Sequence, residues 1–287
     1  MTANRNYKDT VFRKLFNNQK NSLELYNAVK GTNYRDWSVI TMNTLEDVIY
    51  RNMKNDISFL IHNFLVIIEH QSTINENMPV RMLMFLGRLY EKILNDRGNA
   101  IYGCKLEELP NPEFIVFYNG KDDFPREKTL KLSTAFKNKN GIKNVIDLEV
   151  RVININKGVN PELERRSKTL ADYASFIAKV REYLKNHPLE EAIELAVKYC
   201  IDNDILKEFL LENASEVINV LTTEFDMDKA IEVARWEGKE EGIEKGRIEG
   251  IQEGRKEGKK ESKNYVLELI AQGLSYEEIK KKIEEMP

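Results

Sequence analysis

Hydrophobic and polar positions alternate most clearly between Asn55 and Ser72, where the runs 57–61 and 64–68 flank His62-Asn63. Both runs are rich in β-branched and aromatic residues, and a two-residue link that tolerates tight-turn geometry predicts a β-hairpin. In that register Ile61 faces Phe64 and Asp56 falls directly opposite Glu69. Because side chains alternate between faces, Ile57, Phe59, Ile61, Phe64, Val66 and Ile68 share one apolar face. Asp56, Ser58, Glu69 and Gln71 share the other with Leu60, Leu65 and Ile67.

Before the hairpin, Asp9-Thr10 caps a helix with the apolar face Val11, Phe12, Leu15 and Phe16, ended by Gly31-Thr32-Asn33. Arg13 and Lys14 lie beside that face. Residues 37–42 read as loop or a first strand, and 44–53 as strand or helix with Glu46 and Asp47 as further acid. After the hairpin, a polar loop leads to Pro79 near the start of a helix. Met82, Phe85, Leu86, Leu89, Ile93 and Leu94 recur there at helical spacing and pack against the hairpin. A buried strand, 113–118, stops at Asn119-Gly120, and residues 121–144 read as a polar, lysine-rich loop. A second strand, 145–155, carries Asp147 and Glu149 on one face.

From Pro161 onward the periodicity is helical, over 162–185, 189–200 and 205–221, with breaks at Asn186-His187-Pro188 and Asp202-Asn203-Asp204. His187 reads as a helix-end residue and His62 as a turn residue. The order of elements predicts an α/β fold, a small mixed β-sheet flanked by helices with a helical C-terminal extension. The expected divisions are a first domain at 1–185, a helical extension at 186–222, and a charged tail at 223–287.

In that tail Gly238, Gly242, Gly246, Gly250, Gly254 and Gly258 recur every four residues. Each costs a helix about 0.8–1.0 kcal/mol relative to Ala, and Glu–Lys or Glu–Arg pairs return only about 0.2–0.5 kcal/mol each. Successive glycines are offset by about 40° around a helix, which disfavours a straight contact using all six. Two readings stand: the tail self-associates or folds back on the first half, or it is a solvated spacer carrying a terminal helical hairpin around Gly273.

The chain has 287 residues, 41% hydrophobic and 32% charged, enough for a real core with many exposed helical faces. The net charge of −3 averages two unlike halves. Residues 1–160 hold 23 Lys/Arg against 18 Asp/Glu, and residues 161–287 hold 21 against 29. The basic half carries the hairpin, which points toward a nucleic-acid partner. Cys104 and Cys200 form neither a metal-ligand pattern nor a disulfide framework, as in a reducing cytoplasm. No apolar run is long enough to span a bilayer, so no membrane role is expected.

Two carboxylates opposed across a hairpin lie roughly 4.5–5.5 Å apart at their β-carbons and destabilise the pair. On that basis, removing either leaves stability unchanged or raises it. A divalent cation with oxygen ligands is the natural occupant of the space between them. Asp147 and Glu149 form a rival acidic pair.

The elements Asp56 and Glu69-His70-Gln71 resemble the signature of the PD-(D/E)xK nuclease superfamily. Together with Asn55, Ser72, Asn77-Met78-Pro79, Arg81 and Phe117-Tyr118-Asn119-Gly120, they resemble its recombination-promoting nuclease, or putative transposase, branch over roughly residues 7–185. The resemblance implies a Mg²⁺-dependent DNA endonuclease, with Ca²⁺ or Mn²⁺ as alternative ions. It assigns metal binding to Asp56, Glu69 and the backbone carbonyl of His70, and catalytic roles to Asp56, Glu69 and Gln71. Gln71 stands where many superfamily members have Lys, and a neutral amide orients water but takes no proton. DNA would be met by Arg81, Lys14 and Arg13; Arg81 either clamps a phosphate or pairs with Glu76 or another neighbour. The other functional class is a non-catalytic nucleic-acid-binding or protein-interaction module on the same scaffold.

Overall fold

The computed structural model describes residues 11–44, 55–98, 100–137, 146–273 and 275–284. Asp9-Thr10, Glu46, Asp47, Lys139 and Lys143 lie outside them. In chain order the elements are α1 (Val11–Phe16), α2 (Gln19–Lys30), β1 (Ile40–Met42), β2 (Ile57–Ile61), β3 (Phe64–Gln71), α3 (Met78–Asp96), β4 (Asn111–Tyr118), β5 (Glu127–Lys131) and β6 (Glu149–Asn154). They continue with α4 (Pro161–Arg166), α5 (Lys168–Tyr183), α6 (Leu189–Asp202), α7 (Lys207–Ala271) and α8 (Tyr276–Glu284). The described residues form two units, 1–226 and 227–287.

The six strands make one mixed sheet in the order β1-β2-β3-β4-β6-β5. β2 and β3 form the expected hairpin, with Ile61 paired to Phe64 and Ile57 to Ile68. His62 turns the chain at a positive φ of 50°. After the crossover through α3, β4 runs parallel to β3, and β6 runs parallel to β4. Helices cover both faces. Ile57, Phe59, Ile61, Val66 and Ile68 pack with α1, α2, α5, α6 and the start of α7, while Leu65 and Ile67 pack under Met78, Met82, Phe85 and Leu89 of α3. Burying each such side chain contributes about 1.5–3 kcal/mol before entropy is subtracted.

The structure departs from the expected pattern in three places. The first helix is two, because Asn18 caps α2 by accepting from Asn21 N–H while its own amide, and that of Asn21, donate to the Leu15 carbonyl. The helix expected over 162–185 likewise breaks at Ser167, whose hydroxyl accepts from Leu170 N–H to start α5. The lysine-rich loop contains β5, an edge strand antiparallel to β6 whose one buried residue is Leu130. Three of its cations are engaged: Lys128 with Glu76, Lys131 with Glu149, and Arg126 with Asn160 and Glu162. In the tail, α7 continues through the whole glycine tract, and Gly273 at φ 78° separates it from α8.

Gly120 shows why β4 ends as it does. A β-carbon there would meet the Ser72 carbonyl at 2.2 Å and the Tyr118 hydroxyl at 2.3 Å, so the chains leaving β3 and β4 can approach only with hydrogen at this position. Gly120→Ala is expected to destabilise the protein by about 2 kcal/mol, lowering the Tm by about 4–8 °C. Gly87, on the exposed side of α3 with open space around it, serves as the control. Gly87→Ala is expected to raise stability by up to about 1 kcal/mol, and thermal denaturation of the two variants reads the opposite signs.

Candidate active site

The hairpin register carries one step past its last backbone pair and sets Asp56 beside Glu69. There the side chains continue the ladder. Asp56 N–H donates to Glu69 Oε1 at 2.9 Å, and His70 N–H donates to Asp56 Oδ2 at 2.8 Å. Both carboxylates are buried, at 8% and 2% exposure respectively. Burial of that kind is tolerable only with compensating donors.

Those donors include Arg81. Met78, Met82, Phe85 and Leu89 turn the apolar stripe of α3 onto the sheet, and Arg81, one turn into that helix, reaches Glu69 Oε2 with Nη2 at 2.6 Å. The ion-pair partner of Arg81 is Glu69 rather than Glu76. Its guanidinium also lies 5.7 Å from the centre of the Phe85 ring. Gln71, two residues beyond Glu69 on the same face, donates through Nε2 to Met78 Sδ at 2.6 Å. Asp56, Glu69, Gln71 and Arg81 are thus brought together at the carboxyl end of β3.

His70 alternates to the opposite face. Its ring stacks on Phe12 at 4.8 Å, and its Nε2 lies 3.0 Å from the Tyr173 hydroxyl. Burial, followed by the charge of Arg181, pushes its pKa down to about 3, so the ring is neutral. The main chain of His70 matters more. The Gln71 carbonyl accepts from Asn119 N–H on the β4 side, and successive carbonyls of a strand point to opposite sides. The His70 carbonyl therefore points toward β2, as its N–H does in reaching Asp56. Two carboxylates and one carbonyl on one side make a hard, all-oxygen donor set of the kind that Mg²⁺, Mn²⁺ or Ca²⁺ takes. No cluster of three or more His, Cys, Asp or Glu occurs among the described residues.

The rival pair does not share this edge. Asp147 accepts from Ser133 N–H at 2.9 Å and from Leu148 N–H at 3.0 Å, which holds its carboxyl below the usual range. Glu149 pairs with Lys131 at 2.6 Å. By register, Glu149 sits three residues down and two strands across from Glu69, roughly 14 Å away. Arg13 and Lys14 stand on α1, over the face to which His70 turns, and Lys14 is engaged by Glu216 of α7.

Sequence reasoning missed Tyr173 and Arg181. Arg181 donates from Nη1 to Asn156 Oδ1 at 2.7 Å and from Nη2 to the Asn119 carbonyl at 2.5 Å, bracing the loop after β4. The available signal was a phenol within the otherwise apolar stripe of α5, where Leu170, Ala174, Phe176, Ile177 and Val180 are buried.

Because both carboxylates accept backbone N–H groups, they do more than repel. Contrary to the expectation drawn from repulsion alone, Glu69→Ala should destabilise the fold by about 1–3 kcal/mol, since it strands the Asp56 N–H and the Arg81 guanidinium. Glu69→Gln and Asp56→Asn keep an acceptor in place and should cost less. Urea denaturation in EDTA separates the three variants.

A family model described as "Putative transposase, YhgA-like" matches residues 6–229. No curated protein and no solved structure matches the chain.

Proposed function

The chain belongs to the YhgA-like putative transposase family, a family of the PD-(D/E)xK nuclease superfamily, and from that premise we propose that it is a metal-dependent DNA endonuclease that promotes recombination or transposition. The family itself implies interaction with DNA. The observation that carries the finer reading is the pair of buried carboxylates, each fixed by a backbone N–H from across the hairpin.

Asp56, Glu69 and the His70 carbonyl would hold Mg²⁺, with Mn²⁺ or Ca²⁺ as substitutes. When bound, such an ion would supply Lewis acidity toward a phosphate oxygen and the attacking water. The remaining work falls to the chain. The Gln71 amide orients the attacking water, and Arg81 holds the charge of Glu69 until phosphate arrives, where its fork can meet two oxygens. A neutral residue at position 71 removes no proton, so proton transfer passes to solvent or a phosphate oxygen. The other reading, a binding module, draws on the same contacts. Gln71 is held by Met78, and Arg81 by Glu69, an arrangement that also suits a scaffold at rest.

Plasmid nicking decides between them. The endonuclease nicks supercoiled plasmid with Mg²⁺ and not with EDTA. Asp56→Asn and Glu69→Gln lower that activity by at least about a hundredfold, the scale on which one group of a preorganised site acts. Gln71→Lys preserves or increases it. Metal-independent binding with no nicking under any divalent ion supports the binding module instead.

For the tail, we propose self-association. Ile243, Ile248 and Ile251 are exposed on α7, and the neighbouring glycines present open backbone. Truncation after Asp226, where the first unit ends, is expected to reduce the particle to a monomer in light scattering. An unchanged number of chains per particle together with unchanged nicking assigns the tail to the spacer role.

A further inference from the structure

A cleft of about 580 Å³ lies away from the carboxylates and is bounded by α2, residues 31–37 and Arg166. Trp37 and Tyr34 line it, residues that are 52% and 41% exposed. Lys20, Arg35 and Arg166 also line it, each open to solvent. Its one carboxylate, Glu24, is occupied by Ser167 Oγ at 2.6 Å and by Thr169 N–H and Oγ1, each at 2.9 Å. The wall therefore presents aromatic rings and an excess of positive charge.

This wall is held in place. Asn27 Oδ1 accepts from Tyr34 N–H at 3.0 Å and from Thr32 Oγ1 at 2.8 Å, while Asn27 Nδ2 donates to the Tyr34 carbonyl at 2.8 Å. Tyr34 is flanked by Tyr26 and by His62, at ring-centre distances of 6.4 and 5.1 Å. Arg166 is fixed by Glu162 at 2.7 Å and lies against Gly31, where a β-carbon would approach its Nη1 to 3.0 Å. A preorganised shelf of this kind loses little freedom when a ligand arrives.

Exposed aromatic side chains beside spaced cations are the chemistry that binds unpaired nucleotides, the ring stacking on a base and the cations following the backbone. A duplex keeps its base faces stacked inside and offers no such surface. The cleft volume falls in the range that encloses a small ligand such as a nucleotide. We propose that this cleft binds single-stranded nucleic acid, with a base on Trp37 and phosphates on Lys20, Arg35 and Arg166. His62, beside Tyr34, and Glu69 are seven residues apart along the hairpin, so the cleft is roughly 23 Å from the acidic edge. That separation spans about seven nucleotide steps of duplex rise, enough for a displaced strand to be gripped while the neighbouring duplex lies at the edge. The proposal takes from the nuclease reading only that the chain handles nucleic acid.

The test uses the full chain in EDTA, where cleavage plays no part. Binding of a fluorescein-labelled short oligothymidylate is followed by anisotropy, and the emission of Trp37 is followed in a Trp236→Phe background, since the chain has two tryptophans. The oligonucleotide is expected to quench Trp37. Trp37→Ala weakens binding by about tenfold, and Trp37→Phe retains most of it. Lys20→Ala and Arg35→Ala each reduce the slope of log K against log salt by about 0.7. Unchanged affinity in Trp37→Ala, or a duplex that quenches Trp37 and competes as well as the single strand, overturns the proposal. Loss of nicking with Trp37-dependent binding intact removes the endonuclease reading and leaves the cleft standing; nicking without Trp37-dependent binding does the reverse.

Discussion

Two hydrogen bonds at the open end of the hairpin, Asp56 N–H to Glu69 and His70 N–H to Asp56, hold the candidate site together. They extend the β2–β3 ladder with side chains where backbone pairing has stopped, and they convert two repelling carboxylates into acceptors with fixed directions. Everything nearby answers to that geometry. Arg81 can neutralise Glu69 only because a loop of six residues, 72–77, returns the chain to the same edge and the stripe Met78, Met82, Phe85 and Leu89 fixes the rotation of α3. Apolar packing thus decides which charge meets the acid.

The hairpin, its two faces and the position of the acidic pair were legible because strand periodicity is exact in register: once His62-Asn63 is the turn, every opposed pair follows. Both apolar sets assigned from alternation are found in separate cores on opposite sides of the sheet. β5 was not legible, since an edge strand with Leu130 as its one buried residue offers no alternation to read. The breaks at Asn18 and Ser167 were missed for a related reason. Apolar spacing continues across both, and only side-chain hydrogen bonds to the backbone mark the caps. Arg81 was legible as a residue near the acid, while its partner depended on helix rotation. Tyr173 and Arg181 lie more than a hundred residues beyond His70 in the chain, and no local pattern connects them to it.

The glycine tract separates propensity from outcome. Six glycines disfavour helix by an amount that pairs such as Glu244–Arg247, 2.8 Å apart, offset only in part. α7 nevertheless runs through the tract in one piece. Its first turns are anchored in the core by Leu210 and Val217, so nucleation, the costly step for an isolated helix, is already met there. The tract then needs only propagation, in which each added residue contributes one hydrogen bond.

At the carboxyl ends of β3 and β4 the sheet works differently on its two sides. Glu69 and Gln71 face α3 and carry the candidate chemistry; His70, between them, faces α1 and α5 and is wedged by Phe12 and Tyr173. A strand cannot rotate one residue without rotating its neighbours, so the buried neutral imidazole fixes the direction of the His70 carbonyl and of both acidic-side residues. The loop after β4 is braced from the same side by Arg181 and from the other by the close approach of Ser72 to Gly120. Open α/β sheets bind ligands at such strand ends because backbone groups there leave the ladder and become available. Here the core on one face supplies the rigidity, and the opposite face is left to hold the charges.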